Sequence, residues 1–303
     1  MTKMSVLQEK MATFALKCEY KCNEPMARHT SFRIGGDAEI MAFPRCRETL
    51  AEILQAAARL GVKPAILGAG TNVLAPDEGL PGIVICLKDC LDQMQQLDDT
   101  HIQVMSGVTM TRAAVFAANL GLSGLEFAHG IPGTIGGGVY MNAGAYGGEI
   151  KDVAECVEIM DFAGNIQVLT NEEMGFSYRH SALEEMDAIV LSATFRLEKA
   201  DPEAIRDTMR QLQAKRSASQ PLDLPSAGSA FKRPVGGYAA ALIDQAGLKG
   251  YTVGGAAIST KHAGFAVNLG GATAEDVKAL LTQVSDIVFE KSGIRLEPEV
   301  RIW

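Results

Sequence analysis

The chain has 303 residues, with 28 lysines and arginines against 36 aspartates and glutamates, a net charge of −8. Its length accommodates two or three units with cores of their own. The acidic balance argues against a nucleic-acid binder, which needs a basic face for phosphates, but leaves small anionic ligands open to local arginines and lysines. No apolar run reaches the length of a membrane span, and the opening MTKMSVLQEKMATFALKCEYKC is broken by charges too often for a signal peptide. A cytoplasmic protein without membrane insertion is the expectation.

The chain opens on a turn or two of amphipathic helix, then passes through Arg28–Gly36, a polar entry into a glycine turn. Cys18, Cys22, Cys46, Cys86, Cys90 and Cys156 include two C-x3-C pairs. Zinc and redox motifs use C-x2-C, and no histidine stands at ligand spacing beside either pair, so reduced structural thiols and no metal site are expected. On a helix, Cys18 and Cys22 would share one buried face. From Arg47 to Leu60, Leu50, Ile53, Leu54, Ala57 and Leu60 recur at helical spacing, and Gly61 stands where a C-cap belongs. A strand over Pro64–Leu67 then enters the turn Gly68, Ala69, Gly70, Thr71, Asn72. Such a turn can offer backbone N–H groups and two short polar side chains to a pyrophosphate. It lacks the third glycine of G-x-G-x-x-G and the lysine of a P-loop, so alone it defines no motif.

A second round follows: a strand over Ile102–Met105, an alanine-rich helix over Thr111–Leu120 and Gly121. Helix, Leu-Gly, strand and glycine turn thus occur twice, which places two glycine loops at equivalent ends of their units. The second loop, GLEFAHGIPGTIGGGVYMNAGAYGGE over Gly124–Glu149, is too glycine-dense for an ordinary fold segment. It has no collagen period, and its interleaved Ile131, Ile135, Val139, Tyr140 and Met141 argue against a linker. Backbone approach to a ligand and simple buried glycine turns both remain open for it.

Strands are expected over Val153–Met160, Ile166–Leu169 and Ile189–Leu197, with a turn at Asp161–Gly164 and the polar run Phe176–Ser181 between them. Asp201, Pro202 and Glu203 supply an N-cap, an N1 proline and an acidic first turn for a helix that buries Ile205, Met209 and Leu212. A boundary near residue 200 gives three parts: an N-terminal segment over 1–28 and domains over 29–199 and 200–303. The last helix runs from Thr273 to about Ser292 with Val277, Leu280, Leu281, Val284, Ile287 and Val288 as its stripe, and Gly293 ends it. Arg295–Trp303 reads as an edge strand containing Pro298.

Four motifs in one order carry a resemblance: LGAGTNVL over Leu67–Leu74, GIPGTIGGGVYMNAGAYGGE over Gly130–Glu149, YRHS over Tyr178–Ser181, and AGSAFKRP together with LEPEVRIW. From about His29 to Trp303 the chain resembles the UDP-N-acetylenolpyruvoylglucosamine reductases of peptidoglycan synthesis. The resemblance implies an α+β protein, with a two-subdomain FAD-binding fold of the para-cresol methylhydroxylase type and a C-terminal α+β domain for the sugar nucleotide. It implies FAD held by Gly68, Ala69, Gly70, Thr71 and Asn72 of the first loop. From the second it brings Gly130, Pro132, Gly133, Thr134, Gly136, Gly137, Ala143 and Gly144. The diphosphate is then met by backbone dipoles in place of lysines.

The implied reaction takes hydride from NADPH through flavin to the vinyl carbon of enolpyruvyl-UDP-GlcNAc, giving UDP-N-acetylmuramate. Ser229 is carried over as the proton donor to C2, and Arg179 and Glu299 as the pair that stabilises the enolate-like intermediate. A delocalised carboxylate suits a planar, permanently charged guanidinium. A carboxylate beside an enolate must be protonated or bridged by a donor. Lys232, Tyr238 and His262 are implied substrate contacts. About fifty positions separate Arg179 from Ser229, too few for the tyrosine loop of the longer members. Arg233 stands where those members have asparagine and His262 where they have glutamine, so the chain resembles the shorter type. The competing readings are a sugar or alcohol oxidase of the same architecture and a nucleotide-sugar binder without chemistry.

Overall fold

A helix over Arg47–Leu60 forms where the apolar spacing places it: Leu50, Ile53, Leu54 and Ala57 are buried and Gly61 closes it at φ 67°. This is a computed structural model, and it describes residues 5–14 and 17–303. Of the N-terminal segment, Ser5 caps a short helix over Val6–Met11, while residues 1–4, 15 and 16 lie outside the described residues. The chain divides into two units of interleaved segments. The first holds Met1–Glu24, Glu39–Ala69 and Pro81–Ala214, and the second Pro25–Ala38, Gly70–Leu80 and Lys215–Trp303.

Two sheets build the first unit. One is four-stranded in the order Glu19–Pro25, Asp37–Phe43, Leu80–Cys86, Ala65–Leu67, and the last two run parallel with Ala65 opposite Val84. Ile40, Ile83 and Ile85 from it pack with the Arg47–Leu60 helix. The other is antiparallel, in the order Ile166–Thr170, Ala154–Asp161, Ala188–Arg196, His101–Met105, Met94–Gln96. The helix over Met110–Asn119, capped by the Thr109 hydroxyl, contributes Ala113, Ala114, Ala117 and Ala118 to the same core as Ile102, Val104 and Phe195. Small alanines let that helix lie close to large partners, and truncating buried Phe195 to alanine should cost about 3–5 kcal/mol.

In the second unit, Thr273 and Asp276 form a capping box that starts the helix Ala274–Ser292. The Asp77 carboxylate accepts from the N–H groups of Ala274 at 2.8 Å and Glu275 at 3.2 Å, supplying two more orphan donors with a negative partner at the positive helix end. Val277, Leu280, Leu281, Val284 and Val288 are buried along its stripe, whereas Ile287 is partly buried. Gly293 ends it at φ 71°. Short antiparallel strands over Thr252–Val253, Ala256–Ile258 and Ala266–Asn268 join this core. Of the edge strand expected over Arg295–Trp303, only Arg301–Ile302 forms, and Pro298 lies outside it. Pro298 bridges to Phe231, and Arg301–Ile302 lies parallel to Val73–Leu74.

The six thiols are free. Cys22 is exposed in the strand Glu19–Pro25 and Cys18 stands just before it, partly buried, so the two share no buried helical face. Burial pushes the Cys18 and Cys86 thiols up to about 11, which leaves both protonated and unreactive near neutrality. Among the described residues, no group of three or more histidines, cysteines or acids could hold a metal ion, and no helix is long and apolar enough to cross a membrane.

Candidate active site

Gly68, at the start of the first glycine loop, meets the second loop within the first unit. A Cβ added to Gly68 would stand 2.6 Å from the Thr134 hydroxyl oxygen, so only glycine lets these chains approach so closely. Thr134 precedes the helix Ile135–Tyr140 and is 1% exposed. On either side of it, Met110 N–H donates to Gly133 C=O at 3.0 Å and Ile135 N–H donates to Val108 C=O at 2.8 Å. The N–H groups of Ala69, Gly133 and Thr134 have no protein acceptor among the described residues. Thr134 is buried and Ala69 and Gly133 are partly buried, and backbone donors grouped in this way without protein acceptors fit an anionic cofactor group.

Gly136 is also held by packing. Its N–H donates to Ser106 C=O at 2.9 Å, and an added Cβ would lie 3.0 Å from that of Ser106, so packing requires the glycine. Gly137 is exposed, and a Cβ there would meet nothing closer than the Thr134 hydroxyl at 3.7 Å. Gly70, Thr71 and Asn72 fall in the second unit. Gly70 has φ 61° and sits where a Cβ would come 2.0 Å from the His29 carbonyl oxygen.

Arg179 occupies a turn whose ends are locked together. Ser177 N–H donates to His180 C=O at 3.1 Å and His180 N–H donates to Ser177 C=O at 3.2 Å. Between them Arg179 has φ 55°, a conformation that costs a side-chain residue about 1–2 kcal/mol and that glycine or asparagine usually takes. Its guanidinium lies 5.0 Å from the Tyr178 ring centroid and donates to Gly144 C=O at 3.4 Å. The turn is fixed from behind by residues sequence reasoning did not single out as functional. Ser181 donates its hydroxyl to Tyr140 C=O at 2.8 Å, and Asn142 donates its amide to Ser177 C=O at 2.9 Å. A lone asparagine between Met141 and Ala143 in a glycine-rich run was the available signal.

Ser229 and Glu299 both belong to the second unit and lie on neighbouring segments. Ser229 bridges to Phe265, Ala230 N–H donates to Gly264 C=O at 2.8 Å, and Glu299 N–H donates to Ala230 C=O at 3.0 Å. Lys232 is held twice by Glu297, through its N–H to the Glu297 carbonyl at 2.8 Å and through its ammonium to the carboxylate at 2.5 Å. His262 accepts the Gly264 N–H on Nδ1 at 3.1 Å, which fixes the neutral ring's proton on Nε2 and makes that nitrogen a donor. Its edge packs on Phe265 at 5.0 Å between centroids, and burial lowers its pKa. Tyr238 is 60% exposed, with the Arg233 guanidinium 4.1 Å from its ring centroid. Arg179 remains in the first unit.

Paired glycine loops with unpartnered backbone donors define a dinucleotide-binding α+β protein, and residues 38–170 match the model of an FAD-binding domain. Residues 220–303 match the C-terminal domain of UDP-N-acetylenolpyruvoylglucosamine reductase. The reductase of that name from Caldanaerobacter subterraneus subsp. tengcongensis is 45% identical over 297 residues, 98% of each chain. The one from Latilactobacillus sakei subsp. sakei is 45% identical over 93% of this chain and 92% of its own. The crystal structure of the Thermus caldophilus enzyme superposes with a TM-score of 0.78 at 36% identity, covering 95% of this chain and 99% of that one. The chain belongs to the UDP-N-acetylenolpyruvoylglucosamine reductase family and is an FAD-dependent oxidoreductase.

Proposed function

We propose that the protein reduces enolpyruvyl-UDP-N-acetylglucosamine to UDP-N-acetylmuramate with NADPH, as a cytoplasmic step of peptidoglycan precursor synthesis. In this reading residues 29–199 carry FAD and residues 200–303 the sugar nucleotide, a division supported by the two matched segments. The unpartnered N–H groups of Ala69, Gly133 and Thr134 would hold the diphosphate, with the exposed backbone at Gly137 beside it. FAD, when bound, would supply the redox chemistry that carries hydride from NADPH to the vinyl carbon.

The chain's own residues then manage charge and a proton. Arg179 grips the substrate carboxylate and offsets the negative charge that spreads over it and C2. Ser229 delivers its hydroxyl proton to C2. A carbanion-like centre is basic enough to take a proton from so weak an acid, and the Lys232 ammonium three residues on would ease the transfer. Glu299 acts with Arg179 on the intermediate. The neutral Nε2–H of His262 offers a further hydrogen bond without adding charge.

The observation that carries this reading is the hydrogen bond from Glu299 N–H to Ala230 C=O, which lays the Ser229 and Glu299 segments side by side in a chain of this family. Anaerobic mixing tests it. Oxidised holoprotein should bleach at the flavin band with NADPH, and the reduced protein should regain colour on adding enolpyruvyl-UDP-N-acetylglucosamine. Rapid return of colour with oxygen alone and none with that substrate would indicate an oxidase.

A further inference from the structure

We infer that Asn142 is a positioning residue that holds Arg179 in its working conformation through the main chain of the Ser177–His180 turn. The inference rests on the assignment of Arg179 to the substrate carboxylate. Asn142 is fully buried and itself adopts φ 41°, a region in which asparagine is enriched. Three hydrogen bonds orient its amide. Nδ2 donates to Ser177 C=O at 2.9 Å and to the Glu149 carboxylate at 2.8 Å, while Oδ1 accepts the Lys151 N–H at 2.9 Å. Glu149 is in turn fixed by the Lys151 ammonium at 2.6 Å, on its other oxygen.

The chemistry of the network explains why an amide is required. An asparagine supplies two donors and an acceptor from one planar group, and all three are engaged here. Aspartate would keep the acceptor, lose both donors and place a charge against Glu149. Leucine would fill the space and leave Ser177 C=O, Lys151 N–H and a Glu149 oxygen without this partner. Ser177 C=O is also the acceptor of His180 N–H, so the bond from Asn142 bears directly on the lock that closes the turn. Arg179, between those two residues, holds a left-handed backbone that relaxes once the lock loosens. Asn142 touches no reacting atom in this account. It acts through Arg179, whose guanidinium is also tied to Gly144 C=O, two residues along the chain from Asn142.

The test uses holoprotein reduced with one equivalent of dithionite, mixed anaerobically with enolpyruvyl-UDP-N-acetylglucosamine, so that it does not depend on the identity of the hydride donor. Asn142→Leu should retain its flavin, reoxidise at least about tenfold more slowly and show a higher half-saturation for substrate. Hydrogen exchange at His180 N–H should speed up in the same variant. Glu149→Gln, which keeps an acceptor for Asn142, should stay within about threefold of the parent. Where Asn142→Leu does not fold, Asn142→Asp carries the same expectation. Unchanged reoxidation, or loss of flavin in step with loss of rate, overturns the positioning role and makes Asn142 a structural residue. Arg179→Ala is the control. If it leaves reoxidation untouched, the role of Arg179 itself falls, and Asn142 has nothing to position.

Discussion

Asn72 grips Glu299 through the main chain: its side-chain amide donates to Glu299 C=O at 3.1 Å, and its own carbonyl accepts the Arg301 N–H at 2.9 Å. The last residue of the first glycine loop therefore anchors the segment that presents the proposed catalytic glutamate. Asn72→Ala would remove one bond and leave a half-buried carbonyl without that donor, a loss of about 1 kcal/mol. A Tm fall of a few degrees with full flavin content and slower flavin reoxidation by substrate is the expected outcome. Loss of flavin at unchanged Tm would mean that the side chain serves the cofactor instead.

Gly136 and Gly137 separate two roles that composition cannot. At Gly137 an aspartate would complete a T-x-x-D capping box with Thr134 and complement the positive helix end, so the flavin-free fold should be as stable or more so. The same charge would stand beside the proposed diphosphate and should weaken FAD binding at least about tenfold. Gly136→Asp should instead lower the Tm of the flavin-free protein, because its Cβ meets Ser106. Melting curves with and without flavin, and a fluorescence titration with FAD, check both. Undiminished affinity in Gly137→Asp would show that the diphosphate lies elsewhere.

Helices were legible in the sequence wherever the signal was local. Arg47–Leu60 with Gly61 and Ala274–Ser292 with Thr273 and Gly293 carry their periodicity and caps within one stretch. The candidate residues were legible through motif resemblance, and the structure sets Gly68 against Thr134 and Ser229 beside the Glu299 segment. What could not be read depends on contacts distant in sequence. Asn72 and Glu299 are 227 residues apart, and the strands that join their segments, Val73–Leu74 and Arg301–Ile302, are too short to show alternation. For the same reason residues 25–38 and 70–80 gave no sign that they group with 215–303. The Asn142 network is of this kind too, since three separate stretches must fold before its amide has partners.

Burial lowers the His262 pKa, so the folded protein holds this ring neutral to lower pH than the unfolded chain does. Unfolded histidine titrates near 6.5, roughly. Below that the unfolded state binds more protons, so the stability that neutral His262 contributes is intact above the unfolded value and declines as pH falls toward the folded one. His262→Gln should flatten this part of the Tm profile below about pH 6.5 and leave the neutral side unchanged. In the reaction, protonation also removes the Gly264 N–H acceptor on Nδ1, so the substrate half-saturation of the parent should rise over the same acidic range. A Tm profile as steep in the glutamine variant as in the parent would assign the acid sensitivity to other groups.

Ser229→Ala follows from dividing the reaction into halves. Reduction of the flavin needs no proton at substrate C2, so that half should stay within about twofold of the parent. Reoxidation by substrate needs the proton, and loss of a positioned acid typically slows such a step about 10² to 10⁴-fold. The substitution should be structurally mild, because the Ser229 segment is held by main-chain bonds at Ala230 and by Glu299 N–H, which do not involve the hydroxyl. Arg179→Ala should weaken the same half differently, raising half-saturation as well as lowering rate, because it removes carboxylate binding together with charge stabilisation. Rapid-mixing absorbance at the flavin band reads each half separately. Equal slowing of both halves in Ser229→Ala would make the serine a cofactor or folding residue and leave the proton at C2 to another donor.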